Sequence, residues 1–277
     1  MVGVTGDDHD DDHEVGPDRK SSRQFVTALA RGLDVLGAFV PEGRPLGNQE
    51  IAARTGLPKP TVSRIAFTLT ELGYLAHAAN GEKYRLGPRV LSLARAFSTG
   101  TRLGDVVAGP LQALADAARG TVALGEADGT EMVYLAVHRS VSRIILQQGV
   151  GSRIPVACTA MGHAWLHSLP DAARARALKA ILPTLGPRRV QFDKTFAHTF
   201  QQMAERGFCV VCGLWEAEIN GAATAMALAD GRGAVALNIG GPAFRLSEEE
   251  LLGPIGAQLM RTRQALIEAE VPRLLVI

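Results

Sequence analysis

The stretch from Asn48 to Leu86 constrains this chain more than any other. Asn48 is placed to cap a short helix running to Arg54, with Ile51 and Ala52 on its inner side. Thr55-Gly56 closes that helix, because glycine takes the left-handed conformation of a helix end at little cost. Leu57-Pro58-Lys59-Pro60 restarts the chain, Pro60 suiting a first helical position, and a third helix runs to Leu72 before Gly73. Tyr74 to Ala76 and Lys83 to Leu86 then read as two strands about Asn80-Gly81, a dipeptide that favours two-residue hairpin loops. Upstream, Ser21 with Gln24 has capping-box spacing, and Phe25, Leu29, Leu33 and Leu36 follow at helical intervals until Gly43 and Pro45 break the chain. Helix, helix, tight turn, helix and two-stranded ribbon is the order of a winged helix-turn-helix.

On the third helix, steps of 100° per residue gather Val62, Ile65, Ala66, Leu69 and Leu72 on one side. Ser63, Arg64, Phe67, Thr70 and Glu71 take the other, which is left free for a groove. Arg64 can contact a phosphate or pair bidentately with guanine, and Ser63 can donate to either kind of base edge. Phe67 gains nothing from water; a thymine methyl would bury it, and so would packing under the wing or against a neighbouring subunit. Lys59, Thr61 and Thr68 suit phosphate contacts that set register. Arg85, on the wing, suits the DNA backbone or the adjacent minor groove.

Charge supports this reading. The net +1 hides seven acids and no Lys or Arg within residues 1–18, then twelve Lys/Arg against five Asp/Glu within 19–100, then near neutrality. A basic segment beside a neutral one is the footprint of a nucleic-acid-binding module joined to something else. The acidic opening lacks apolar periodicity and reads as a disordered tail; His9 and His13 within it could hold a divalent metal, but nothing rigid would position them. No metal or cofactor is expected elsewhere. Three cysteines, no secretory signal and no apolar run of bilayer length place the chain in the cytoplasm, away from membranes.

The second half mixes elements. Gly100, Gly104, Gly109 and Pro110 mark a boundary, and Leu111 to Ala118 looks helical. Val122 to Ala127, Glu131 to Val137 and Arg143 to Gln147 read as strands, and Gly149 to Pro155 as irregular. Helices follow over Thr159 to Ser168, Asp171 to Ile181 and Asp193 to Arg206. Strands return at Phe208 to Cys212, Ala222 to Leu228 and Ala234 to Ile239, and Ser247 with Glu250 caps a last helix to about Glu270. The whole is α+β, with an antiparallel sheet in the second half. The expected division is an acidic tail over 1–20, the DNA-binding unit over 21–87, a linker helix over 88–100 and the second domain over 101–277. Cys158-Thr159-Ala160-Met161-Gly162 opens a helix with small residues, so the N–H groups of Ala160 and Met161 offer a carboxylate site. The alternative is that Thr159 caps its own helix and those N–H groups meet water. Cys209 and Cys212, three apart on a strand, fall on opposite faces and do not make a zinc site.

The runs FVTALARGLDVLGAF, EIAARTGLPKPTVSRIAFTLTELGYL and YRLGPRVLSLA resemble the DNA-binding half of IclR-family regulators. VGSRIPVACTAMGHAWL, ERGFCVV and ALNIGGPAFRLSEEEL are similar to that family's effector domain, so that the likeness covers about residues 24–270. The resemblance implies a GAF-like effector domain, a homodimer or dimer of dimers on a palindromic double-stranded operator, and a small-molecule effector at Thr159, Ala160 and Met161. It further implies Val211, Ile219, Gly221, Asn238 and Gly240 as pocket residues, Asn238 being the one clear polar group. Val211-Cys212 stands where many relatives carry an acid, Gly221 where cysteine is common, and His163 where lysine is usual, which suggests a roomier, less polar pocket for a larger carboxylate or amide, aromatic among them. Two other readings stay open: a hydrolase using Cys158 or Thr159 with His163, and a constitutive DNA-binding protein whose second half only oligomerises.

Overall fold

The computed structural model describes residues 24–40, 43–79, 81–100, 102–141, 148–231 and 233–276. Ser21, the acidic opening with His9 and His13, Asn80, and the strand expected over Arg143 to Gln147 lie outside the described residues. Two compact units meet between Leu93 and Ala94.

The first unit contains α1 (Thr27–Gly37), α2 (Asn48–Thr55), α3 (Lys59–Glu71), β1 (Leu75–His77) and β2 (Tyr84–Leu86). Val35, Phe39, Leu46, Ile51, Val62, Ala66 and Leu75 form its core. The Thr55-Gly56 turn closes as expected, with Gly56 at φ +69° and its N–H donating to the Ala52 carbonyl at 2.9 Å. The cap of α2 differs from expectation. Gly47 is the cap residue, and the Glu50 carboxylate accepts from its N–H at 3.0 Å. Asn48 is already helical, and its Oδ1 is buried without a partner. Glu50 also takes Arg44 at 2.6 Å and Lys83 at 3.3 Å. Gly47, Arg44 and Lys83, in that order of weight, hold its carboxyl down to about 2. The two strands pair antiparallel, Ala76 opposite Arg85. A Cβ at Gly87 would lie 2.2 Å from the Gly73 carbonyl oxygen, so the wing returns past the end of α3 at a distance that only glycine permits. Leu72, expected inside, is exposed because α3 ends at Glu71 and Leu72 caps it. Helix α4 (Arg89–Gly100) crosses the boundary between units.

The second unit starts with α5 (Leu103–Ala118), which runs unbroken through Pro110. Gly104, Gly109 and Pro110, three of the four residues expected to mark the boundary, lie inside this helix. Proline in a helix interior costs about 3 kcal/mol. The buried stripe Leu103, Val107, Leu111, Leu114, Ala115 and Ala118 offsets it, each large side chain contributing about 1.5–3 kcal/mol. Six strands, β3 (Thr121–Asp128), β4 (Glu131–Arg139), β5 (Arg153–Pro155), β6 (Cys209–Cys212), β7 (Ile219–Ala227) and β8 (Ala234–Pro242), form one antiparallel sheet in the order β5-β4-β3-β8-β7-β6. β5 falls inside the segment expected to be irregular; it is three residues long, too short to show a period. Helices α6 (Ala160–Ser168), α7 (Asp171–Ile181) and α8 (Arg189–Arg206) lie between β5 and β6 in sequence, α8 starting before the expected Asp193. The last expected helix is broken at Gly253 into α9 (Glu248–Leu252), capped by Ser247 and Glu250, and α10 (Pro254–Glu268), and α11 (Val271–Leu274) follows.

The sequence of β8 explains how the sheet positions a site. Ala234, Ala236, Asn238 and Gly240 alternate with Val235, Leu237 and Ile239. The large residues enter the core that includes α5 and α10, while Ala234 and Ala236 join the core that includes α6. Across β7, Gly221, Ala223 and Ala225 stand opposite Gly240, Asn238 and Ala236. Small side chains on that face let α6 press close to the sheet. Among the described residues, no helix is long and apolar enough to cross a membrane.

Candidate DNA-reading helix and ligand cavity

Helix α3 is divided as its periodicity requires. Val62 and Ala66 are fully buried, whereas Ser63, Arg64, Phe67 and Thr68 are exposed. Phe67 is 65% exposed, so neither the wing nor the rest of its own unit covers it. Lys59 is exposed at the start of the helix and Thr61 is half-buried. The Thr68 hydroxyl donates to the Arg64 carbonyl at 3.0 Å, which leaves it acceptor capacity but no spare proton for a phosphate. Arg85 is exposed at the centre of β2, its Nη1 donating to the Leu86 carbonyl at 3.3 Å. The unit thus presents one outward helix face with a cation, a hydroxyl and an aromatic ring, and a second cation on the wing.

In the second unit, a cavity of about 30 Å³ opens at the start of α6. Of the eight effector residues expected, Thr159, Ala160, Val211, Ile219, Gly221, Asn238 and Gly240 line it. Met161 does not; its side chain is fully buried in the core, within 2.9 Å of where a Cβ on Gly125 would stand. Tyr134, Ile154, Cys158, Trp215 and Asn220 complete the wall. Among the described residues, no charged side chain lines the cavity. Two large rings, Tyr134 and Trp215, stand in the wall.

The opening of α6 is built by close approach. A Cβ at Gly162 would lie 2.1 Å from the Val156 carbonyl oxygen, so only glycine lets the helix abut the 3-10 turn Val156–Cys158. Thr159 caps α6: its hydroxyl accepts from the Gly162 N–H at 3.2 Å and donates to the Pro155 carbonyl at 2.8 Å. That hydroxyl is fully engaged. The N–H groups of Ala160 and Met161 meet no protein acceptor among the described residues. Asn238 is 8% exposed and its side-chain amide likewise has no partner among them. A helix start carrying two unengaged donors, beside a buried amide in an uncharged cavity, is suited to an oxyanion.

His163 serves that architecture. It is fully buried, with Nε2 donating to the Ala157 carbonyl at 2.9 Å and Nδ1 2.9 Å from the Thr199 hydroxyl. A carbonyl only accepts, so Nε2 carries the proton in the neutral ring, and Nδ1 faces the Thr199 hydroxyl, whose single proton is shared between Nδ1 and the Phe196 carbonyl at 3.0 Å. Burial pushes the ring down to about 4, against a smaller opposing effect of the Ala157 bond. Both nitrogens are engaged away from Cys158 and Thr159, and burial raises the Cys158 thiol. A nucleophile–base pair is therefore not assembled. Cys209 is buried and Cys212 exposed, as opposite strand faces require. Tyr134 escaped the sequence reading because a bulge between Leu124 and Gly125 resets the face parity of β4, and short sequence signals do not mark it.

Residues 28–78 match the IclR helix-turn-helix domain, and residues 98–266 match the bacterial transcriptional regulator IclR C-terminal domain. The Pca regulon regulatory protein of Pseudomonas putida is 31% identical over 229 residues, covering 82% of this chain and 78% of that protein. The HTH-type transcriptional regulator TsaQ1/TsaQ2 of Comamonas testosteroni is 29% identical, covering 96% of this chain and 98% of the relative. The crystal structure of an IclR family transcriptional regulator from Brucella abortus is 36% identical with a TM-score of 0.80, covering 92% of this chain and 96% of that one. With both halves of the winged, antiparallel-sheet architecture matched in order, the chain belongs to the IclR family of transcriptional regulators.

Proposed function

We propose that this regulator reads a palindromic operator as a homodimer or dimer of dimers and is switched by a small organic carboxylate or amide, acting in the cytoplasm. The observation that carries the DNA half is the outer face of α3, where Phe67 is 65% exposed beside Ser63 and Arg64 while Val62 and Ala66 are buried. In this reading Ser63, Arg64 and Phe67 meet base edges; Lys59 and Thr61 meet phosphates, Thr68 contributes helix-surface shape more than a donated bond, and Arg85 follows the backbone or minor groove. Dimerisation is supported by α1, whose Leu29 and Leu33 are exposed along one side together with Val26. A second copy covering that stripe removes the apolar surface from water.

In this reading the effector's anionic end lies on the N–H groups of Ala160 and Met161, with Asn238 facing the rest of the ligand from the sheet and Val211, Ile219, Gly221 and Gly240 as walls. Thr159 contributes as the cap that holds α6, its hydroxyl being engaged. A cavity of about 30 Å³ holds little more than one or two waters. Binding therefore moves a wall. The turn from Gly213 to Glu218 bears Trp215 and is held by three backbone bonds, Gly213 N–H to the Ile219 carbonyl at 3.0 Å, Ile219 N–H to the Glu216 carbonyl at 2.9 Å and Ala243 N–H to the Glu218 carbonyl at 2.7 Å, and in this reading it is the part that shifts. The residues around 88–100, which include α4, serve as the relay, since a ligand acts on the operator only by favouring one arrangement of paired recognition helices. The test is operator binding by the full chain on cognate promoter fragments, with and without metabolite carboxylates and amides that raise its melting temperature. A stabilising ligand that changes neither operator affinity nor footprint would sink the switch, and sequence preference surviving in Arg64→Ala and Phe67→Ala would sink the recognition face.

A further inference from the structure

Tyr134 is 3% exposed, has no hydrogen-bond partner for its hydroxyl among the described residues, and lines the same cavity as Asn238. The hydroxyl borders the cavity without a protein acceptor, so it is available to donate to an acceptor atom of a bound ligand. The register shows why its ring reaches that far. Tyr134 on β4 pairs with Gly125 on β3, and Ala123 on β3 pairs with Asn238 on β8, so nothing larger than a methyl group on β3 stands between the two residues on this face. Ile154 and Trp215, which line the cavity with them, supply apolar and aromatic surface.

We infer that Tyr134, together with the Asn238 amide, is a specificity-determining pair that reads a second oxygen of the effector, one separate from the carboxylate held at α6. The ligand class is an aromatic acid bearing a hydroxyl or carbonyl oxygen on its ring, the ring lying against Ile154 and Trp215. The inference rests on the cavity being the effector site. Burial raises the Tyr134 hydroxyl well above its ordinary value, so it stays protonated near neutral pH and can donate to a ligand oxygen or accept from a ligand hydroxyl. Asn238 can donate or accept, and so takes either a carbonyl or the proton of a phenol.

The experiment is calorimetric titration of the full chain with benzoate and with 2-, 3- and 4-hydroxybenzoate, for the parent, Tyr134→Phe and Asn238→Ala. The expected result is that one hydroxylated isomer binds the parent roughly tenfold more tightly than benzoate, and that Tyr134→Phe brings the two within about threefold while leaving benzoate affinity in place. Asn238→Ala is expected to lose the same preference. A parent that binds the acids without preferring any hydroxylated isomer, or a Tyr134→Phe that keeps the preference, overturns the inference while the cavity stands as the effector site. If none of the four acids binds the parent at millimolar concentration, the aromatic-acid class falls. If, in addition, Trp215→Phe abolishes none of the ligand-induced stabilisation found with other metabolites, the cavity itself falls. Should Tyr134→Phe misfold by circular dichroism, the benzoate-to-hydroxybenzoate ratio in the parent and in Asn238→Ala still decides the matter.

Discussion

Acid should unfold the second unit through one residue. His163 sits at 0% exposure between the edges of Phe192 and Phe196, with centroid distances of 5.6 and 5.5 Å, and both its nitrogens are bonded in the neutral form. Its folded value of about 4 lies below the 6.5 of an unperturbed imidazole. Between those values the unfolded chain takes up a proton that the folded chain refuses. Stability is therefore complete above pH 6.5 and falls as the pH drops toward 4. A difference of about 2.5 units at 1.36 kcal/mol each gives a loss of about 3 kcal/mol, before the contribution of carboxylates. The perturbation is His163→Gln, whose amide can still donate to Ala157, and the quantity of interest is the change of stability with pH, not its absolute value. Urea unfolding followed by tryptophan fluorescence isolates this unit, because both tryptophans, Trp165 and Trp215, lie in it. Burial also lowers His138 and His167, but those contributions and those of the carboxylates are common to parent and variant and cancel in the difference. Between pH 7 and pH 4 the parent should lose about 3 kcal/mol more than the variant. Equal losses, or a proton titration of the His163 ring near 6.5, would refute the reasoning that its burial is what keeps α6 in place.

Four further outcomes follow from particular contacts. Gly162→Ala should destabilise the second unit by several kcal/mol and abolish ligand-induced stabilisation, because its Cβ would overlap the Val156 carbonyl at 2.1 Å; a melting temperature within a degree of the parent would contradict that contact. Pro110→Ala should raise the stability of the same unit by about 1–3 kcal/mol by restoring an α5 hydrogen bond, and a decrease on thermal melting would show that the packed stripe depends on the proline. Lys59→Ala should weaken operator binding about equally on specific and random DNA and flatten the logarithmic salt slope by about 1, whereas Arg64→Ala should cost about 1–3 kcal/mol on the operator alone; the reverse pattern in fluorescence anisotropy would exchange their roles. Any stabilising ligand should shift or quench emission of the parent and of Trp165→Phe but not of Trp215→Phe, and an unchanged Trp215 signal would mean that the wall does not move.

What could be read in advance, and what could not, divides by the range of the interactions involved. The winged unit was legible because each of its signals is local: Gly56 needs a left-handed backbone, Gly81 takes one at φ +73° in a wing loop longer than the two residues expected, and Val62 and Ala66 repeat at the helical period. Errors there were confined to ends, as at Asn48 and Leu72, where one residue's shift decides between cap and core. In the second unit the turns between β3 and β4 and between β7 and β8 are equally local, with Gly129 at φ +65° and Gly231 at φ +70°. Long-range packing overrode local preference elsewhere. Pro110 reads as a terminator in any window of sequence, yet the burial of α5 outweighs the one hydrogen bond that proline removes. The cavity shows the same division at finer scale. Its α6 floor is visible in a run of small residues, and its strand floor in the alternation of Ala234 to Gly240, but Tyr134 enters only because a bulge three strands away from Gly221 turns β4 by one residue. A sheet's alternation is counted from its registers, and a single inserted residue exchanges inside for outside without changing any local pattern. Tyr134 lies next to that inserted residue, Leu135. Deleting Leu135 should remove the bulge while Tyr134 stays opposite Gly125 and Ala136 opposite Leu124 on their present faces, so the shortened chain should fold with Tyr134 still at the cavity, and a variant that fails to fold on circular dichroism would refute this reading of the register.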